Sequence, residues 1–394
     1  MSRQVPPQLA GDENALRTLR TKNNDEPLAP VQRRVLGDVS NRNRGRTREP
    51  LAPVMRDVPE SRVTDTGSSG AAGESALAGQ KRSADALEPA PKRARRVEEA
   101  SASKASFVIE LPRIEVEHAD LDAEDKFDEL MVPEYVDDIF DLLFQRQYLY
   151  MVNPSYMKSQ PQIKWSLRGI LVNWLVSIHQ KFRLLGETLF VTINILDRYL
   201  EKVEVPLDRL QLVGVTCLFI AAKYEEIFSP AIQNYAYVAT VTETEICQTE
   251  MSVLRVLDYD LGVPNPMNFL RRISKADNYN ISSRTLAKYL MEISFFEPRL
   301  FCYLPSDVAA ASMCLAREIV GSAEWDNNCI HYSMGLTREA MKNILLILVQ
   351  FLKAPTEYQE FHKKYASKKF LKASLRCAAW AEAYSDSWLA SFDE

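Results

Sequence analysis

Residues 210–222 read Leu-Gln-Leu-Val-Gly-Val-Thr-Cys-Leu-Phe-Ile-Ala-Ala, without one charged side chain. A helix of this composition has no polar face, so other elements must surround it. We therefore predict a central helix of a bundle over about Leu207 to Tyr224. Four small side chains along it would let neighbouring helices approach closely. These are Gly214, Cys217, Ala221 and Ala222.

The segments on both sides of this helix repeat apolar residues with helical spacing. One preceding segment has them at i, i+3, i+4, i+7, i+8 and i+11, which forms one apolar face. These residues are Leu167, Ile170, Leu171, Trp174, Leu175 and Ile178. A second preceding helix, after a break at Gly186, is marked by Leu189, Ile193, Leu196 and Leu200. Downstream, Thr242 with Glu245 three residues later predicts a capping box and a helix that ends near Leu257.

A weaker copy of this pattern occurs roughly 95 residues downstream. Residues 216–223 resemble residues 311–318, and Thr188-Leu189 resembles Thr285-Leu286 at a similar offset. Two similar offsets predict a duplicated helical unit that is joined near Gly262–Pro266. Chance similarity between two apolar helices is the alternative.

The first 106 residues differ in composition from the rest of the chain. No aromatic residue precedes Phe107, and the segment carries 19 Lys and Arg against 14 Asp and Glu. Without aromatic side chains the segment cannot bury enough apolar area to offset the entropy of ordering, so we predict a disordered tail. The remainder has 29 Lys and Arg against 39 Asp and Glu, a net charge of −10. We therefore expect no nucleic-acid binding by the folded part.

The sequence contains no pattern that indicates an enzyme. It has no glycine-rich phosphate loop, no HExxH motif and no nucleophile elbow. The four histidines are scattered without ligand spacing: His118, His179, His331 and His362. The six cysteines form no CxxC pair, so buried thiols are favoured over a metal site or disulfides. They are Cys217, Cys247, Cys302, Cys314, Cys329 and Cys377. We predict no cofactor and no metal.

The amino-terminal segment contains neither the apolar core of a signal peptide nor an apolar stretch of about 20 residues. We expect an intracellular, soluble protein that does not bind membranes. Two basic clusters in the tail are either solvated charge runs or a bipartite nuclear import signal. They consist of Lys81, Arg82, Lys92, Arg93, Arg95 and Arg96. An import signal would distribute the protein between nucleus and cytoplasm.

Two charges interrupt the apolar pattern of the helical part. Glu250 lies on the stripe of Ile246, Val253 and Leu257, and Lys223 ends the central helix. A charge on a core-facing stripe is unfavourable by several kcal/mol unless it is paired. Either the two charges pair with each other or reach solvent at the edge, or they face the backbone groups of a partner protein. The periodicity leaves both interpretations open.

Several stretches together resemble the cyclin box of B-type cyclins, in the form found in fungal mitotic cyclins. They are residues 167–175 (LRGILVNWL), 183–190 (RLLGETLF), 196–200 (LDRYL), 210–214 (LQLVG) and 222–226 (AKYEE). Residues 265–275 and 364–372 extend the resemblance to about 125–385. It implies an all-α fold of two tandem five-helix lobes preceded by a leading helix. The implied organisation is a tail over 1–121, a first lobe with its leading helix over 122–262, and a second lobe over 263–385.

The resemblance implies a regulatory subunit that binds and activates a cyclin-dependent protein kinase at the G2/M transition and in mitosis. Lys223 and Glu250 match the charged pair that anchors the mobile regulatory helix of the kinase in this family. Other matching kinase contacts are Tyr135, Ile139, Tyr224, Leu254, Tyr259 and Leu261. The alternative is a cyclin-fold transcription factor or adaptor, which predicts a basic face on the lobes.

Two further surfaces follow from the resemblance. Six residues match the docking patch for Arg-x-Leu substrates, although they could equally form ordinary core. They are Leu167, Ile170, Leu171, Trp174, Leu210 and Gln211. Asn173 and Ser177 stand where many family members carry acidic or longer polar residues, so we expect weak docking of basic peptides. Arg271, Arg284 and Lys288 match a phosphate pocket, with ordinary surface charge as the alternative.

The tail also contains a short peptide that resembles the destruction box of mitotic cyclins. It reads RRVLGDVSN over residues 33–41, with Arg33, Leu36 and Asn41 at the family positions. An extended, accessible peptide is sufficient for recognition of this kind. The resemblance implies capture by the ubiquitin ligase of mitotic exit and periodic destruction, with a chance RxxL in a linker as the alternative.

Overall fold

The computed structural model describes residues 104, 106–128, 130–322, 324–354 and 357–390. Two predicted features of the tail lie outside the described residues. These are the destruction-box-like peptide with Arg33, Leu36 and Asn41, and the basic clusters between residues 81 and 96.

The described chain consists of helices joined by short turns, and none of its residues forms a β-strand. A leading helix, α1 (Val136–Gln147), precedes a first lobe of five helices. These are α2 (Trp165–Phe182), α3 (Gly186–Lys202), α4 (Leu210–Glu225), α5 (Ile232–Ala239) and α6 (Glu243–Val256).

The second lobe repeats this arrangement. Its first five helices are α7 (Pro266–Ala276), α8 (Ile281–Glu292), α9 (Pro305–Val320), α10 (Asn327–Tyr332) and α11 (Lys342–Lys353). Two more helices follow, α12 (Gln359–Ala366) and α13 (Ala373–Ala390). The prediction of two tandem helical lobes with a leading helix is therefore confirmed.

Each lobe is built around one helix that other helices cover on all sides. In α4, 12 of 16 residues are buried, and α9 has the same share. Gly214 shows why small residues are needed in α4, because a Cβ there would lie 2.9 Å from Leu171 Cδ1 on α2. The predicted central helix is confirmed, and its downstream copy is the central helix of the second lobe.

The predicted start of α6 follows from its capping. Thr242 Oγ1 accepts the N–H of Glu245 at 3.2 Å, and the Glu245 carboxylate accepts the N–H of Thr242 at 2.9 Å. This reciprocal pair is the capping box expected from the sequence. It satisfies two backbone donors that have no partner inside the helix.

A buried ion pair joins α2, α3 and the second lobe. The Arg168 guanidinium donates to both carboxylate oxygens of Asp197, each at 2.6 Å, and both residues are almost fully buried. A third guanidinium nitrogen donates to the carbonyl of Phe295 in the second lobe at 2.5 Å. The hydroxyl of Tyr156 donates to Asp197 at 2.8 Å, which satisfies the carboxylate further. A charge pair buried in this way is stable only when its hydrogen bonds are complete.

A second buried network holds α12 against α8. Lys364 Nζ donates to both oxygens of Glu292 at 2.7 Å, and the Tyr365 hydroxyl donates to Glu292 at 2.7 Å. Both charged side chains are less than one-tenth exposed. Residues 364–372, which the sequence resemblance singled out, therefore begin with a structural anchor of the second lobe.

Residues 106–125, here called the strap, run across the second lobe. Ile109 N donates to Cys302 O at 2.8 Å, and Ile114 N donates to Gly335 O at 2.9 Å. Gly335 has a φ of +85°, and a Cβ there would lie 2.6 Å from Ile114 O, so only glycine admits the strap. Arg113 pairs with the buried Asp307.

The end of the strap is also fixed by charge. Asp122 accepts from Arg272 at 2.7 Å and from Lys275 at 2.6 Å, and both cations lie on α7. The predicted disordered tail extends to residue 121. The structure differs, because residues 106–121 pack against the second lobe.

Among the residues that the structure describes, no helix is both long and apolar enough to cross a lipid bilayer.

We predict that Arg168→Ala lowers the free energy of unfolding by about 3–5 kcal/mol, because it leaves the Asp197 carboxylate buried without its partner. Urea unfolding followed by circular dichroism measures this change. The control is Arg209→Ala, which removes an exposed pair with Glu245 at 3.6 Å and should leave the free energy of unfolding nearly unchanged. Equal effects of the two substitutions would contradict the structural role of Arg168.

Candidate functional site

The two charges that interrupt the apolar pattern meet at the edge of the first lobe. Lys223 Nζ at the end of α4 forms an ion pair with Glu250 Oε1 on α6. The Lys223 ammonium also lies 4.3 Å from the centroid of the Phe219 ring. The Lys223 side chain is 45% exposed and that of Glu250 is 14% exposed. The Glu250 side chain is therefore mostly buried, whereas the Lys223 side chain is accessible to a partner.

Tyr224 connects this pair to the junction of the lobes. It is half-exposed, and its hydroxyl lies close to the backbone of Gly262. Arg146 near the end of α1 donates to Gly262 O at 3.3 Å and to the hydroxyl of Tyr150 at 2.8 Å. The ends of α1 and α4 thus meet the segment that contains Leu261, which is itself half-buried.

Tyr259 projects from the turn that ends α6. Its N–H donates to Leu254 O at 2.9 Å, and Leu254 packs half-buried against the core. Asp258 and Tyr259 both have left-handed backbone, with φ of 52° and 58°. Such conformations are unfavourable by about 1–3 kcal/mol each for residues other than glycine and occur often at functional positions. The turn leaves the Tyr259 side chain 65% exposed.

The leading helix α1 presents an apolar row to solvent. Tyr135 precedes it, and Ile139 and Leu142 follow at i+4 and i+7, so the three side chains share one face. All three are more than two-fifths exposed. Leu142 was not predicted, although its spacing from Tyr135 was a usable signal.

Sequence reasoning also missed Ile227 and Phe228. They follow the last turn of α4, and their side chains are about four-fifths exposed. Exposed apolar side chains in one region indicate an interaction site. We call the whole set the front surface. It comprises Tyr135, Ile139, Leu142, Lys223, Tyr224, Ile227, Phe228, Glu250 and Tyr259.

The predicted docking patch is mostly core. Four of its six residues are buried: Leu167, Leu171, Trp174 and Leu210. Ile170 and Gln211 are partly exposed. The Nε2 atom of Gln211 is covered but has no hydrogen-bond partner in the described structure. A covered donor without a partner is unfavourable by about 1–3 kcal/mol.

Asn173 and Ser177 on α2 serve the protein's own backbone. Asn173 Oδ1 accepts the N–H groups of Glu360 and Phe361, each at 3.1 Å, and so caps the first turn of α12. Ser177 Oγ donates to Trp174 O at 2.8 Å. The family resemblance relates these two positions only to contacts with a peptide arginine. The structure gives Asn173 an internal role that the sequence did not reveal.

The structure brings the three predicted phosphate-pocket cations into one region. Burial lowers the pKa of Lys288, and the nearby charges of Arg284 and Arg271 lower it further. Arg271 pairs with Glu187 at 3.0 Å, whereas Arg284 and Lys288 have no carboxylate partner among the described residues. An anion bound here would relieve the repulsion between them.

The described residues contain no group of three or more His, Cys, Asp or Glu side chains that could hold a metal ion. Cys217, Cys314, Cys329 and Cys377 are buried free thiols. Burial raises the pKa of the Cys329 thiol to about 12, so it stays protonated. The prediction of buried thiols does not extend to Cys247, which is exposed.

The chain matches two protein families in tandem. Residues 138–262 match the family described as Cyclin, N-terminal domain, and residues 264–379 match Cyclin, C-terminal domain. The boundary between the matches falls within the stretch Gly262–Pro266, where the repeated pattern predicted a junction.

Three fungal proteins are similar to the chain. It is 50% identical to "G2/mitotic-specific cyclin-B" of Emericella nidulans over 268 residues, which are 68% of this chain and 56% of that protein. Identity to "G2/mitotic-specific cyclin cdc13" of Schizosaccharomyces pombe is 49% over 263 residues, 66% and 54% of the two chains. Identity to "G2/mitotic-specific cyclin-2" of Saccharomyces cerevisiae is 48% over 287 residues, 72% and 58%. The chain thus spans just over half the length of these relatives.

We predict that Asn173→Ala lowers the free energy of unfolding by about 1 kcal/mol, since two N–H groups at the start of α12 lose their acceptor. Asn173→Asp is the matched control, because a carboxylate keeps both bonds and interacts favourably with the helix dipole. Urea unfolding compares the three proteins. A stability of Asn173→Ala equal to that of the unchanged protein would show that the cap has no energetic role.

Proposed function

Because this chain belongs to the cyclin family, as its sequence resemblance predicted, we propose that it is the regulatory subunit of a cyclin-dependent protein kinase. We further propose that the complex acts at the G2/M transition and in mitosis. The names of its fungal relatives support this timing. The chain itself is not an enzyme in this proposal and needs no cofactor.

The accessible Lys223–Glu250 pair among exposed apolar side chains is the observation that carries this proposal. A lysine ammonium has three donors, and the pair with Glu250 leaves donors for a partner. The surrounding apolar side chains of the front surface would exclude water from the pair when a partner covers them. A charge-assisted hydrogen bond is stronger in such a dry interface than in water.

Activation follows from the requirements of kinase chemistry. An active kinase needs an ion pair between a strand lysine and a glutamate on its regulatory helix, and it needs an ordered activation loop. A subunit that binds only the conformation with this helix in place shifts the population toward it. Changing a 1:99 equilibrium to 99:1 requires about 5.5 kcal/mol of differential binding. A surface of apolar side chains with a central charged pair is suited to supply this energy.

We also propose two accessory binding sites on the lobes. Ile170 and Gln211 would receive a short substrate peptide, supported by the partial exposure of both side chains. Arg271, Arg284 and Lys288 would bind a phosphate group, supported by the mutual repulsion of their charges.

The tail supplies the proposed control of abundance and location. The peptide at residues 33–41 would bring the chain to the ubiquitin ligase of mitotic exit, and the basic clusters at residues 81–96 would direct part of the protein to the nucleus. Both proposals rest on the sequence motifs alone.

We predict that Lys223→Ala combined with Glu250→Ala abolishes activation of a monomeric cyclin-dependent kinase. The reason is that the interface loses its central charged pair. Phosphorylation of a histone substrate and co-elution in gel filtration measure activation and binding. The matched control is Arg209→Ala combined with Gln233→Ala, two polar changes on the same lobe that should leave activation unchanged. Full activation by the Lys223/Glu250 variant would refute the role of the pair, and a helical circular dichroism spectrum excludes misfolding.

We predict that Arg33→Ala with Leu36→Ala lengthens the half-life of the protein in an extract that contains the active mitotic ubiquitin ligase. Arg48 and Leu51 form a second RxxL spacing in the tail that lacks the following GDVSN residues. Their replacement by alanine is therefore the matched control and should leave the half-life unchanged. Equal half-lives for all three proteins would show that residues 33–41 are not the signal.

A further inference from the structure

The connection between α4 and α5 contains a serine that is followed by proline. Ser229-Pro230 is the only Ser-Pro or Thr-Pro pair in the 394 residues of the chain. The connection, residues 226–231, forms no helix, and the pair comes directly after Ile227 and Phe228 of the front surface. Ser229 is partly exposed. The pair therefore lies beside the surface that the proposed partner would cover.

The backbone of this connection is available for pairing with another chain. Glu226 and Ala231 at its two ends are extended, with ψ of 142° and 150°. The N–H groups of Ile227 and Ser229 donate no hydrogen bond to any residue that the structure describes. A proline restricts the residue before it to extended conformations, so Pro230 favours the same geometry at Ser229. An extended segment with free N–H groups suits the substrate groove of an enzyme.

The Ser229 hydroxyl has no structural role that a modification would remove. It donates to the carbonyl oxygen of the adjacent Pro230 at 3.3 Å and makes no other hydrogen bond among the described residues. The start of the connection is held separately, because the Glu226 carboxylate accepts from Leu185 N at 2.6 Å and from Thr188 Oγ1 at 2.8 Å. Ser229 can therefore be modified without loss of the contacts that hold Glu226.

The chain after Pro230 is lightly anchored. Only two of the eight residues of α5 are buried, Tyr235 and Ala239, compared with 12 of 16 in α4. Local opening requires less free energy where fewer buried apolar contacts must be broken. The first turn of α5 can therefore move away from the lobe while α4 stays in place, which increases the access of an enzyme to Ser229.

We propose that Ser229 is a phosphorylation site and that its phosphorylation blocks the front surface. The modifying enzyme is a serine kinase whose groove offers no acceptor to the residue after the serine, because proline has no N–H group. In the transfer, Ser229 Oγ bonds to the γ-phosphorus of ATP, the bond from that phosphorus to the bridging oxygen breaks, and ADP leaves. The hydroxyl proton passes to a carboxylate of the kinase. The modification itself is independent of the proposed function, whereas its effect rests on it.

The charge of a phosphate is unfavourable at this position. Phosphoserine carries about −1.5 to −2 charges at pH 7. Ile227 and Phe228 are about four-fifths exposed in the free protein and lose their water when a partner covers them. Burial raises the pKa of the Glu225 carboxyl, and the charges of Glu187 and Glu226 raise it further, so this end of α4 already disfavours added negative charge. A phosphate beside an apolar interface weakens binding through both desolvation and like-charge repulsion.

Phosphorylation of the full chain tests the site. The chain is incubated with ATP and a purified mitogen-activated protein kinase, which modifies serine before proline, and peptide mass spectrometry locates the phosphate. We expect phosphate on Ser229, and none at this segment in the variants Ser229→Ala and Pro230→Ala. Ser155 is the matched internal control, because it is exposed but has its proline on the other side, in Pro154-Ser155.

A peptide of residues 222–236 separates the effect of the sequence from that of the fold. Phosphorylation of the peptide but not of the chain would show that the fold hides Ser229. Phosphorylation of neither would show that the segment is not a substrate. Equal phosphorylation of Ser155 and Ser229 would show that proline gives no selection. Each of these three results would overturn the inference.

The effect on the front surface is measured with the phosphorylated chain and a monomeric cyclin-dependent kinase. We expect binding and activation to be at least ~10-fold weaker than with the unmodified chain. The Ser229→Ala variant, treated with ATP and kinase in the same way, should keep full activation. Undiminished activation by the phosphorylated chain would overturn the block. If the unmodified chain also fails to activate, the proposed function and the block fail together, and the mass-spectrometric result for Ser229 stands by itself.

Discussion

The ion pair between Arg168 and Asp197 fixes the relation of α2, α3 and the second lobe. Its charges are almost fully buried, so any arrangement that separates them would leave an unpaired charge in the interior. The third guanidinium bond, to Phe295 O, extends this constraint across the lobe junction. The front surface includes the end of α4, which packs against both α2 and α3. Its geometry therefore depends on a buried ion pair that takes no part in the surface itself.

The front surface and the predicted phosphate pocket differ in how their charges are balanced. At the front surface, Lys223 and Glu250 neutralise each other in the free protein and remain accessible from one side. At the predicted phosphate pocket, Arg284 and Lys288 have no such counterion among the described residues, and their charges act on each other. The first arrangement keeps the free protein stable until a partner covers the pair. The second leaves repulsion that a bound anion would relieve, so it favours one class of ligand over another.

Helical periodicity predicted the helices whose apolar residues pack into the core of a single lobe. The apolar centre of α4 and the capping box of α6 were both recognisable, because the residues that define each of them are close together in the sequence. The strap was not recognisable, because Ile114 contacts Gly335 and Asp122 contacts Arg272, and such distant pairings leave no local pattern. The capping role of Asn173 was not predictable for the same reason, since its partners at residues 360 and 361 belong to the other lobe. Family resemblance indicated the charged pair, whereas Ile227 and Phe228 became evident only from their exposure.

The strap also determines how the molecule responds to mechanical load. A pull on the chain from its amino-terminal side reaches the bonds of Ile109, Ile114 and Asp122 before it reaches α1. These contacts lie one after another along the strap, so a pulling force would break them one at a time. The lobes would remain folded until the last of them, the anchor of Asp122 to Arg272 and Lys275, had been broken. An enzyme that pulls from the amino-terminal side would therefore first break the hydrogen bond of Lys104 Nζ to Leu149 O and then the bonds to the second lobe.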